Sequence, residues 1–494
     1  MLRKIRIAAA IICFVLITLL FLDFTGTLHG WFGWSAKIQF LPALLALNIV
    51  IVVALLLLTW IFGRVYCSVI CPLGVFQDII SWTASKRKKY RFSYSSAIRW
   101  LRYGMLGIFC IAFIGGISFV ISLLEPYSAY GRIASNLFAP IYQGINNLLA
   151  YFAERMNSYA FYSTDIWIKN IPTFIIAIVT LVAIFVLAWR NGRTYCNTIC
   201  PVGTILGFVS KFSIFKPRFD ATNCNNCGLC ERSCKASCIN SKEHKIDYSR
   251  CVSCMDCIGV CRKGSLKYIP KLKLEKTMKP VEEKPLNGSR RKFLSLTAAF
   301  AATSALKAQT NKVDGGLAII EDKRVPNRST HVTPPGSSSI RHFNQHCTAC
   351  QLCVSVCPNQ ILRPASNIER FMQPEMSYER GYCRPECTKC SEVCPTGAIK
   401  RIDAAEKSAI QIGQAVFIKE NCVVNTDGVS CGNCARHCPT GAIHMIPKSG
   451  EEGALATPVI DTEICIGCGA CEYLCPARPF AAIYVEGNQR HHFI

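Results

Sequence analysis

Most cysteines of this 494-residue chain fall into closely spaced groups that suit metal binding. Two neighbouring groups follow C-x2-C-x2-C-x3-C; they are Cys224, Cys227, Cys230 and Cys234, then Cys251, Cys254, Cys257 and Cys261. In such a run three thiolates hold one iron–sulfur cubane and the fourth ligates the other cluster. The predicted ligand sets are therefore Cys224, Cys227, Cys230 and Cys261, and Cys251, Cys254, Cys257 and Cys234. A structural zinc site more often uses two separated C-x2-C pairs.

The first pair of groups departs from the bacterial ferredoxin pattern in one respect. Lys235 and Arg262 follow the last cysteine of each group, where the ferredoxin run has proline. Cys238 is an additional thiol close by, so it is an alternative ligand.

Four further groups lie near the C-terminus, and each ends in Cys-Pro. They are Cys347, Cys350, Cys353 and Cys357; Cys383, Cys387, Cys390 and Cys394; Cys422, Cys431, Cys434 and Cys438; and Cys465, Cys468, Cys471 and Cys475. The position of the first ligand varies, but the other three keep ferredoxin spacing. These sixteen thiols predict four more clusters, which makes six [4Fe–4S] clusters in the chain.

A repeated motif supplies four more thiols. Residues 63–74 (GRVYCSVICPLG) and 192–203 (GRTYCNTICPVG) agree at eight of twelve positions, and each places two cysteines one helical turn apart. Cys67, Cys71, Cys196 and Cys200 are therefore expected to converge on a metal, an iron–sulfur cluster or a redox-active thiol pair. The alternative is a duplicated turn in which the cysteines are merely small buried residues.

The elements that carry these motifs are strongly apolar. Residues 7–22, 41–62, 105–124 and 171–189 contain no charged side chain, and each approaches the length that a hydrocarbon core of about 30 Å requires. The predicted fold is therefore an α-helical membrane domain of four transmembrane helices, with two α+β ferredoxin-like domains attached. A cleaved secretory signal is the alternative for residues 7–22.

The charge distribution predicts the orientation of these helices. The whole formal charge of +24 falls in the first 308 residues, and basic residues stand beside the ends of the apolar stretches at 1–6, 85–91 and 190–193. Basic residues mark the cytoplasmic side, so both ends of the helical domain are expected in the cytoplasm. The basic excess thus indicates topology in an inner membrane and not a nucleic-acid partner.

A second membrane signal lies in mid-chain. Arg290 and Arg291, within Ser289–Leu294, resemble a twin-arginine export signal, and a small-residue apolar stretch follows at residues 293–306. A fifth, short membrane segment here would deliver the C-terminal clusters to the periplasm; the alternative is a basic linker and a soluble amphipathic helix. The expected domains are 1–216 (membrane), 217–270 (two clusters), 271–288 (linker), 289–308 (fifth segment), 309–340 (linker) and 341–494 (four clusters).

These motifs together resemble two known families. Residues 1–270 are similar to NapH-type membrane ferredoxin proteins, and residues 289–494 to NapG-type four-cluster ferredoxins. The resemblance implies a quinol dehydrogenase component that passes electrons from membrane quinol towards a periplasmic reductase or cytochrome. It also implies that cysteine group one of the C-terminal domain shares ligands with group four, and group two with group three. Pairing of neighbouring groups is the alternative.

No residue pattern indicates a catalytic centre for a terminal substrate. The sequence contains no C-x-x-C-H haem attachment motif, no G-x-G-x-x-G loop and no P-loop. An electron conduit with six clusters, with a quinone as an additional cofactor, is the expected function. Two alternatives remain open: a NosR-like or CcoG-like factor that handles metal or electrons for metalloenzyme maturation, and a membrane-tethered polyferredoxin with all six clusters in the cytoplasm.

Overall fold

The computed structural model describes residues 2–23, 25–87, 92–158, 160–220, 223–270, 322–447 and 455–494. The predicted export signal at Arg290 and Arg291, the fifth segment 289–308 and the linker 271–288 lie outside the described residues and remain predictions.

The N-terminal part is helical throughout. Its helices are α1 (Leu2–Leu22), α2 (Thr27–Phe32), α3 (Trp34–Lys37), α4 (Phe40–Leu45), α5 (Ile49–Phe62), α6 (Val65–Val69), α7 (Pro72–Arg87), α8 (Arg99–Ile114), α9 (Ser118–Leu124), α10 (Pro126–Ile133), α11 (Ala139–Arg155), α12 (Ile171–Asn191), α13 (Thr194–Thr198) and α14 (Pro201–Ser210). A π-helical turn, Ala134–Phe138, joins α10 to α11. Proline opens α7 and α14, where its missing N–H costs nothing.

Within the described ranges, two helices are long and apolar enough to cross a membrane. They are α1 and α12, each of 21 residues. At 1.5 Å per residue each is about 31 Å long, which matches a hydrocarbon core of about 30 Å. The prediction of four continuous spans is wrong for the other two stretches, because both are broken.

The breaks have local causes. In 41–62, Leu47 adopts a left-handed conformation (φ 53°), and the Asn48 side chain then accepts a hydrogen bond from the Ile51 N–H to begin α5. In 105–124, α8 ends before Gly116, whose φ of 69° glycine adopts without strain. Neither α5 (14 residues) nor α8 (16 residues) alone reaches the length of a span. The short pieces α4 and α9 pack together in one apolar cluster.

Both predicted ferredoxin domains are present. The N-terminal ferredoxin domain, residues 215–270, contains β1 (Phe215–Phe219), α15 (Leu229–Arg232), β2 (Ile239–Asn240), β3 (Lys245–Ile246), α16 (Asp256–Val260) and β4 (Leu266–Pro270). Strands β1 and β4 pair antiparallel from Phe215↔Pro270 to Phe219↔Leu266, so the first and last strands close the domain.

The C-terminal ferredoxin domain comprises the described residues from 322 onwards. Its elements are α17 (Ile340–His346), α18 (Leu352–Val356), β5 (Leu362–Pro364), β6 (Pro374–Met376), α19 (Lys389–Val393), α20 (Ala404–Ala409), β7 (Ile410–Phe417), α21 (Val423–Thr426), α22 (Asn433–Arg436), β8 (Ile443–Pro447), β9 (Ala456–Ile460), α23 (Ala470–Leu474) and β10 (Ile483–Phe493), with 3-10 turns at Ile368–Arg370 and Lys419–Asn421. All strand pairs are antiparallel: β5 with β6, β7 with β10, and β8 with β9.

Residues 322–340, the described part of the segment expected as a linker, pack against this domain. Residues 332–337 are buried, although proline, serine and glycine dominate them. Lys323 donates to the carbonyl oxygens of Glu472, Tyr473 and Cys475 over 2.7–3.0 Å. Arg328 forms an ion pair of 2.5 Å with Glu472. The composition of 332–339 indicated flexibility, but tertiary contacts hold these residues in place.

The two ferredoxin domains lie at opposite ends of the helical part. At the start of α1, Arg3 pairs with Asp256 of the N-terminal ferredoxin domain at 2.8 Å. Just beyond the other end of α1, the Thr25 carbonyl oxygen accepts a hydrogen bond of 2.8 Å from Lys389 of the C-terminal domain. Helix α12 repeats this arrangement, because Asn170 precedes it and donates to the Pro364 carbonyl oxygen (2.8 Å). The two long helices therefore connect one domain to the other.

Candidate metal centres

The four thiols predicted for the second cluster of the N-terminal ferredoxin domain line one cavity. Cys251, Cys254, Cys257 and Cys234 surround it, together with Cys238. Burial raises the pKa of Cys257 well above its usual value, and the nearby thiols Cys254, Cys234 and Cys251 raise it further. Four crowded, buried thiolates need a cationic iron core to be stable, so the donor set fits a cluster.

The first site of this domain is more open. Burial raises the pKa of Cys230 to about 11, and Cys224 and Cys227 add to the rise, which brings these three together. Cys261 packs against the buried cluster that contains Cys230, as the predicted ligand set requires. Cys227 is exposed, so this site lies nearest to solvent.

The additional thiol Cys238 lies within the second site. Its sulfur is 3.6 Å from that of Cys234, and the residue is buried. Cys251 also contacts Cys238. The structure therefore places a fifth thiol beside two predicted ligands, as the sequence suggested for an alternative ligand.

In the C-terminal domain, neighbouring cysteine groups share ligands. Burial raises the pKa of Cys353 well above its usual value, and the nearby thiols Cys350, Cys347 and Cys394 raise it further. A cavity is lined by Cys383, Cys387, Cys390 and Cys357. Groups one and two thus exchange their fourth cysteines.

Groups three and four repeat this exchange. A cavity is lined by Cys465, Cys468, Cys471 and Cys438. Burial raises the pKa of Cys434 to about 11, and Cys431 and Cys475 contribute; Cys422 and Cys475 share one buried cluster with Cys431 packed against it. The pairing implied by the family resemblance, one with four and two with three, is therefore not the one in the structure. The reason is local topology, because a short hairpin, β5–β6 or β8–β9, lies between the groups that pair.

The two halves of this domain meet at their cysteine groups. The Cys383 N–H donates to the Cys468 carbonyl oxygen over 2.9 Å. Burial raises the pKa of Cys468 to about 12, and Cys383 is the neighbouring thiol that adds most to this rise. The site of Cys383 therefore adjoins the site of Cys468.

The repeated motifs bring their four thiols together, as the sequence predicted. Cys67, Cys71, Cys196 and Cys200 are all 3–4% exposed, and we call them the four-cysteine site. Burial raises the pKa of Cys200 well above its usual value, and Cys196, Cys71 and Cys67 each raise it further. Cys71 and Cys200 directly precede α7 and α14. Pro72 and Pro201 begin these helices and thereby fix the position of each thiol at the helix start.

Two buried arginines join the halves of the four-cysteine site reciprocally. Arg193 donates to the Cys67 carbonyl oxygen over 2.7 Å, and Arg64 donates to the Cys196 carbonyl oxygen over 3.1 Å. Both guanidinium groups are at most 1% exposed. Each also approaches a sulfur, since Arg64 lies 3.7 Å from Cys67 Sγ and Arg193 lies 3.9 Å from Cys196 Sγ. The sequence repeat thus produces an approximate two-fold arrangement.

The site fits an anionic cluster. Arg64 Nε and one terminal nitrogen of Arg193 are buried without a hydrogen-bond partner. Buried guanidinium N–H groups without an acceptor are costly, and an iron–sulfur cluster with its thiolates would place negative charge beside them. Among the residues that the structure describes, no three His, Cys, Asp or Glu side chains are close enough to hold a single ion. A cubane spaces its ligands more widely than a mononuclear ion does.

The four-cysteine site contacts the N-terminal ferredoxin domain through charged residues. Arg64 donates to the Ser249 carbonyl oxygen (3.1 Å), two residues before Cys251. Asp78 pairs with Arg193 at 2.8 Å and with Lys235 at 3.2 Å, and Lys235 directly follows Cys234. Asp78 therefore lies between the four-cysteine site and the cluster site that contains Cys234.

On the opposite side, the end of α9 and helix α10 lie between the four-cysteine site and the C-terminal domain. The Tyr195 hydroxyl donates to the Leu124 carbonyl oxygen over 3.3 Å. Burial lowers the pKa of Arg132 to about 10, while Glu125, Tyr195 and Cys350 oppose that shift. Arg132 is thus near the four-cysteine site and a C-terminal cluster ligand at once. A Cβ at Gly131 would overlap the Cys350 carbonyl oxygen, so glycine allows this close approach.

Sequence reasoning missed several of these residues. Arg64 and Arg193 stand at the same place in both repeats, so the repeat itself carried a signal for them. No sequence pattern indicated Glu125 and Arg132, because they come near Cys350 only in the folded chain.

Comparisons with known proteins agree with this chemistry. A family described as "4Fe-4S binding domain" matches residues 44–91 and 173–220, and one described as "4Fe-4S dicluster domain" matches 346–398 and 429–478. The ferredoxin-type protein MauM of Methylobacillus flagellatus is 33% identical over 165 residues, which are 32% of this chain and 70% of that protein. The chain belongs to the ferredoxin-type 4Fe–4S protein family. Its two dicluster matches coincide with the neighbouring groups that share ligands.

Other relatives of this ferredoxin-type protein are matched less completely. The putative electron transport protein YccM of Escherichia coli K12 is 24% identical over 48% of this chain and 61% of its own length. The uncharacterised protein MJ0749 of Methanocaldococcus jannaschii is 37% identical, over 20% of this chain and 39% of its own length. The chain thus spans less than two thirds of these two relatives. No solved structure matches it.

Proposed function

We propose that this ferredoxin-type protein carries electrons from a membrane quinol to a periplasmic reductase or cytochrome, as a NapH-like part fused to a NapG-like part. One observation carries the proposal: the four-cysteine site lies between two ferredoxin domains at opposite ends of the same helices. A loaded iron–sulfur cluster takes up and releases single electrons at a potential set by its surroundings. Six predicted clusters and a seventh centre would form one unbroken series.

The series has a definite order. It runs from Cys224, Cys227, Cys230 and Cys261 to Cys234, Cys251, Cys254 and Cys257, then to the four-cysteine site. It continues through Cys347, Cys350, Cys353 and Cys394, then Cys357, Cys383, Cys387 and Cys390, and Cys438, Cys465, Cys468 and Cys471, and ends at Cys422, Cys431, Cys434 and Cys475. The four-cysteine site thereby supplies the link across the membrane domain.

The proposed location is the inner membrane with the C-terminal domain in the periplasm. The two apolar helices α1 and α12 support membrane insertion, and the basic residues near the N-terminal ferredoxin domain support its cytoplasmic side. In this topology α4–α5 and α8–α9 would cross the membrane as broken helices, and Arg290 and Arg291 would direct export. A periplasmic reporter fused after Ile494 should be active; activity of a cytoplasmic reporter alone contradicts this topology.

The bridging role can be tested in vesicles. We expect a membrane-impermeant reductant on one side of proteoliposomes to bleach the absorbance of all clusters in the native protein. In Cys67→Ser/Cys200→Ser only the clusters of the exposed domain should bleach, because the link is removed. Cys110→Ser, an exposed thiol on α8, is the matched control. Full bleaching in the double variant contradicts the proposal, and copper in place of iron at the four-cysteine site favours the maturation function.

A further inference from the structure

A large cavity opens between α1 and α7, beside the N-terminal ferredoxin domain. Its volume is about 810 Å³, which lies in the range of sites for small organic ligands. The cavity has a charged end and an apolar end.

The charged end is built from ion pairs. Arg6 pairs with Asp78 at 2.9 Å, and Lys235 pairs with Asp78 at 3.2 Å and with Asp256 at 2.9 Å. The side chain of Arg6 is only 10% exposed, and its Nε is buried without a hydrogen-bond partner. A buried donor without a partner is costly, so a ligand with an acceptor oxygen would be favoured here.

The apolar end consists of side chains from α1 and α7. Ile7 and Ile11 line it from α1, and Ile79 and Trp82 line it from α7. Ile11, Ile79 and Trp82 are 41–60% exposed, so the cavity is open on this side. Because α1 is long and apolar enough to span a membrane, this opening would face lipid.

The cavity also lies between two cysteine sites. Lys235 directly follows Cys234, and Asp256 stands between Cys254 and Cys257. Asp78 binds Arg193, which approaches Cys196 of the four-cysteine site. A structural lipid would gain nothing from this position, whereas an electron carrier would.

We propose that this cavity binds a lipid-soluble quinone, with a ring carbonyl at Arg6 and Lys235 and the isoprenoid chain along Ile11, Ile79 and Trp82. The proposal rests on the proposed function, because it names the site of the quinol in that function. Carbonyl oxygens match the free donor, and the isoprenoid chain matches the opening towards lipid.

Photoaffinity labelling of the full-length protein tests this site without electron transfer. The protein, with its clusters oxidised, is placed in phospholipid nanodiscs and labelled with an oxidised azido-quinone. We expect label on peptides from α1 or α7, and displacement by unlabelled menaquinone. Ile79→Trp should fill the cavity and lower labelling about tenfold. Arg6→Met should do the same, because methionine has no N–H donor, while Asp78 keeps two other partners. Ile178→Trp on α12 is the control, and iron content verifies folding.

Three results would overturn the proposal: label elsewhere in the chain, labelling that added phospholipid displaces but menaquinone does not, or native labelling of Ile79→Trp. Since no cluster changes its redox state, labelling is independent of the vesicle experiment. A failure there with specific labelling here would therefore count against the four-cysteine link and leave the quinone site intact.

Discussion

Individual residues at the four-cysteine site show how a duplicated motif forms one centre. Each repeat contributes two thiols, one arginine and one glycine, and each arginine binds the carbonyl group of the opposite repeat. Gly74 and Gly203 permit this, because a Cβ at either position would overlap a carbonyl oxygen of Cys67 or Cys196. Neither half therefore forms the site alone.

Gly203→Ala should disrupt the four-cysteine site and leave the other cluster sites intact. The added methyl group would overlap the Cys196 carbonyl oxygen and approach Arg64, and overpacking of this kind costs about 1–3 kcal/mol. We expect iron content to fall by about four atoms per chain if the site holds a cubane. Gly107→Ala on α8, with no atom within 4 Å of the new Cβ, should keep all its iron. Unchanged iron in Gly203→Ala would contradict the assignment of a centre here.

Iron content of paired variants distinguishes the two ligand pairings in the C-terminal domain. Cys350 and Cys394 belong to one site, so Cys350→Ser/Cys394→Ser should lose no more iron than either single variant. Cys350→Ser/Cys475→Ser should lose about twice as much, because two sites are affected. The reverse pattern in iron analysis would restore the pairing of group one with group four.

Cysteine spacing predicted every group of thiols, but only part of the pairing. In residues 224–261 two groups stand alone, so exchange between them is the simplest arrangement. With four groups, several exchanges satisfy the same spacing, and the fold decides which fourth cysteine, such as Cys394 or Cys475, comes close. The electrostatic influence of both Tyr195 and Cys350 on Arg132 is likewise a tertiary effect that no spacing encodes.

At the scale of elements, hydropathy located the apolar stretches correctly. It did not predict that two of them are broken into shorter helices. Composition averages over a window, whereas one left-handed residue, Leu47 or Gly116, is enough to end a helix. The glycine pair at 115–116 was a visible signal for the second break; Leu47 gave none. Residues 322–340 were misjudged for a related reason, because their small polar residues are buried by contacts with distant strands.

The segment 322–340, of which residues 332–337 are buried, should loosen on acidification. Burial, with Arg370 adding to it, lowers the pKa of His331 to about 4, whereas an unfolded histidine titrates near 6.5. The folded state thus binds fewer protons between these values, so its stability is complete above about pH 6.5 and falls as the pH drops towards 4. The hydrogen-exchange protection factor of this segment, that is, its rate corrected for the intrinsic pH dependence of exchange, should fall between pH 6.5 and 5, and less so in His331→Gln. The exposed His444→Gln should behave like the native protein; a pH-independent native segment would contradict the assignment.

At the scale of the whole molecule, the helical part lies between the two ferredoxin domains. Each ferredoxin domain covers one end of the helical part, and α1 and α12 run between them. The formal charge of +24 belongs to the half that includes the N-terminal ferredoxin domain, while residues 309–494 are neutral before clusters are counted. Cluster binding would add negative charge to both ends, and in the proposed topology it would leave the cytoplasmic end the more basic one.

The reciprocal arginines have a consequence for biogenesis. Cys67 and Cys71 are synthesised long before Arg193, Cys196 and Cys200, and the first half-site has no partner until the second emerges from the ribosome. Under the proposed function, insertion of a metal centre here would have to wait until the helical part is complete. Premature loading of a nascent or truncated chain is thereby prevented by geometry, because half of the ligands and one buried cation do not yet exist.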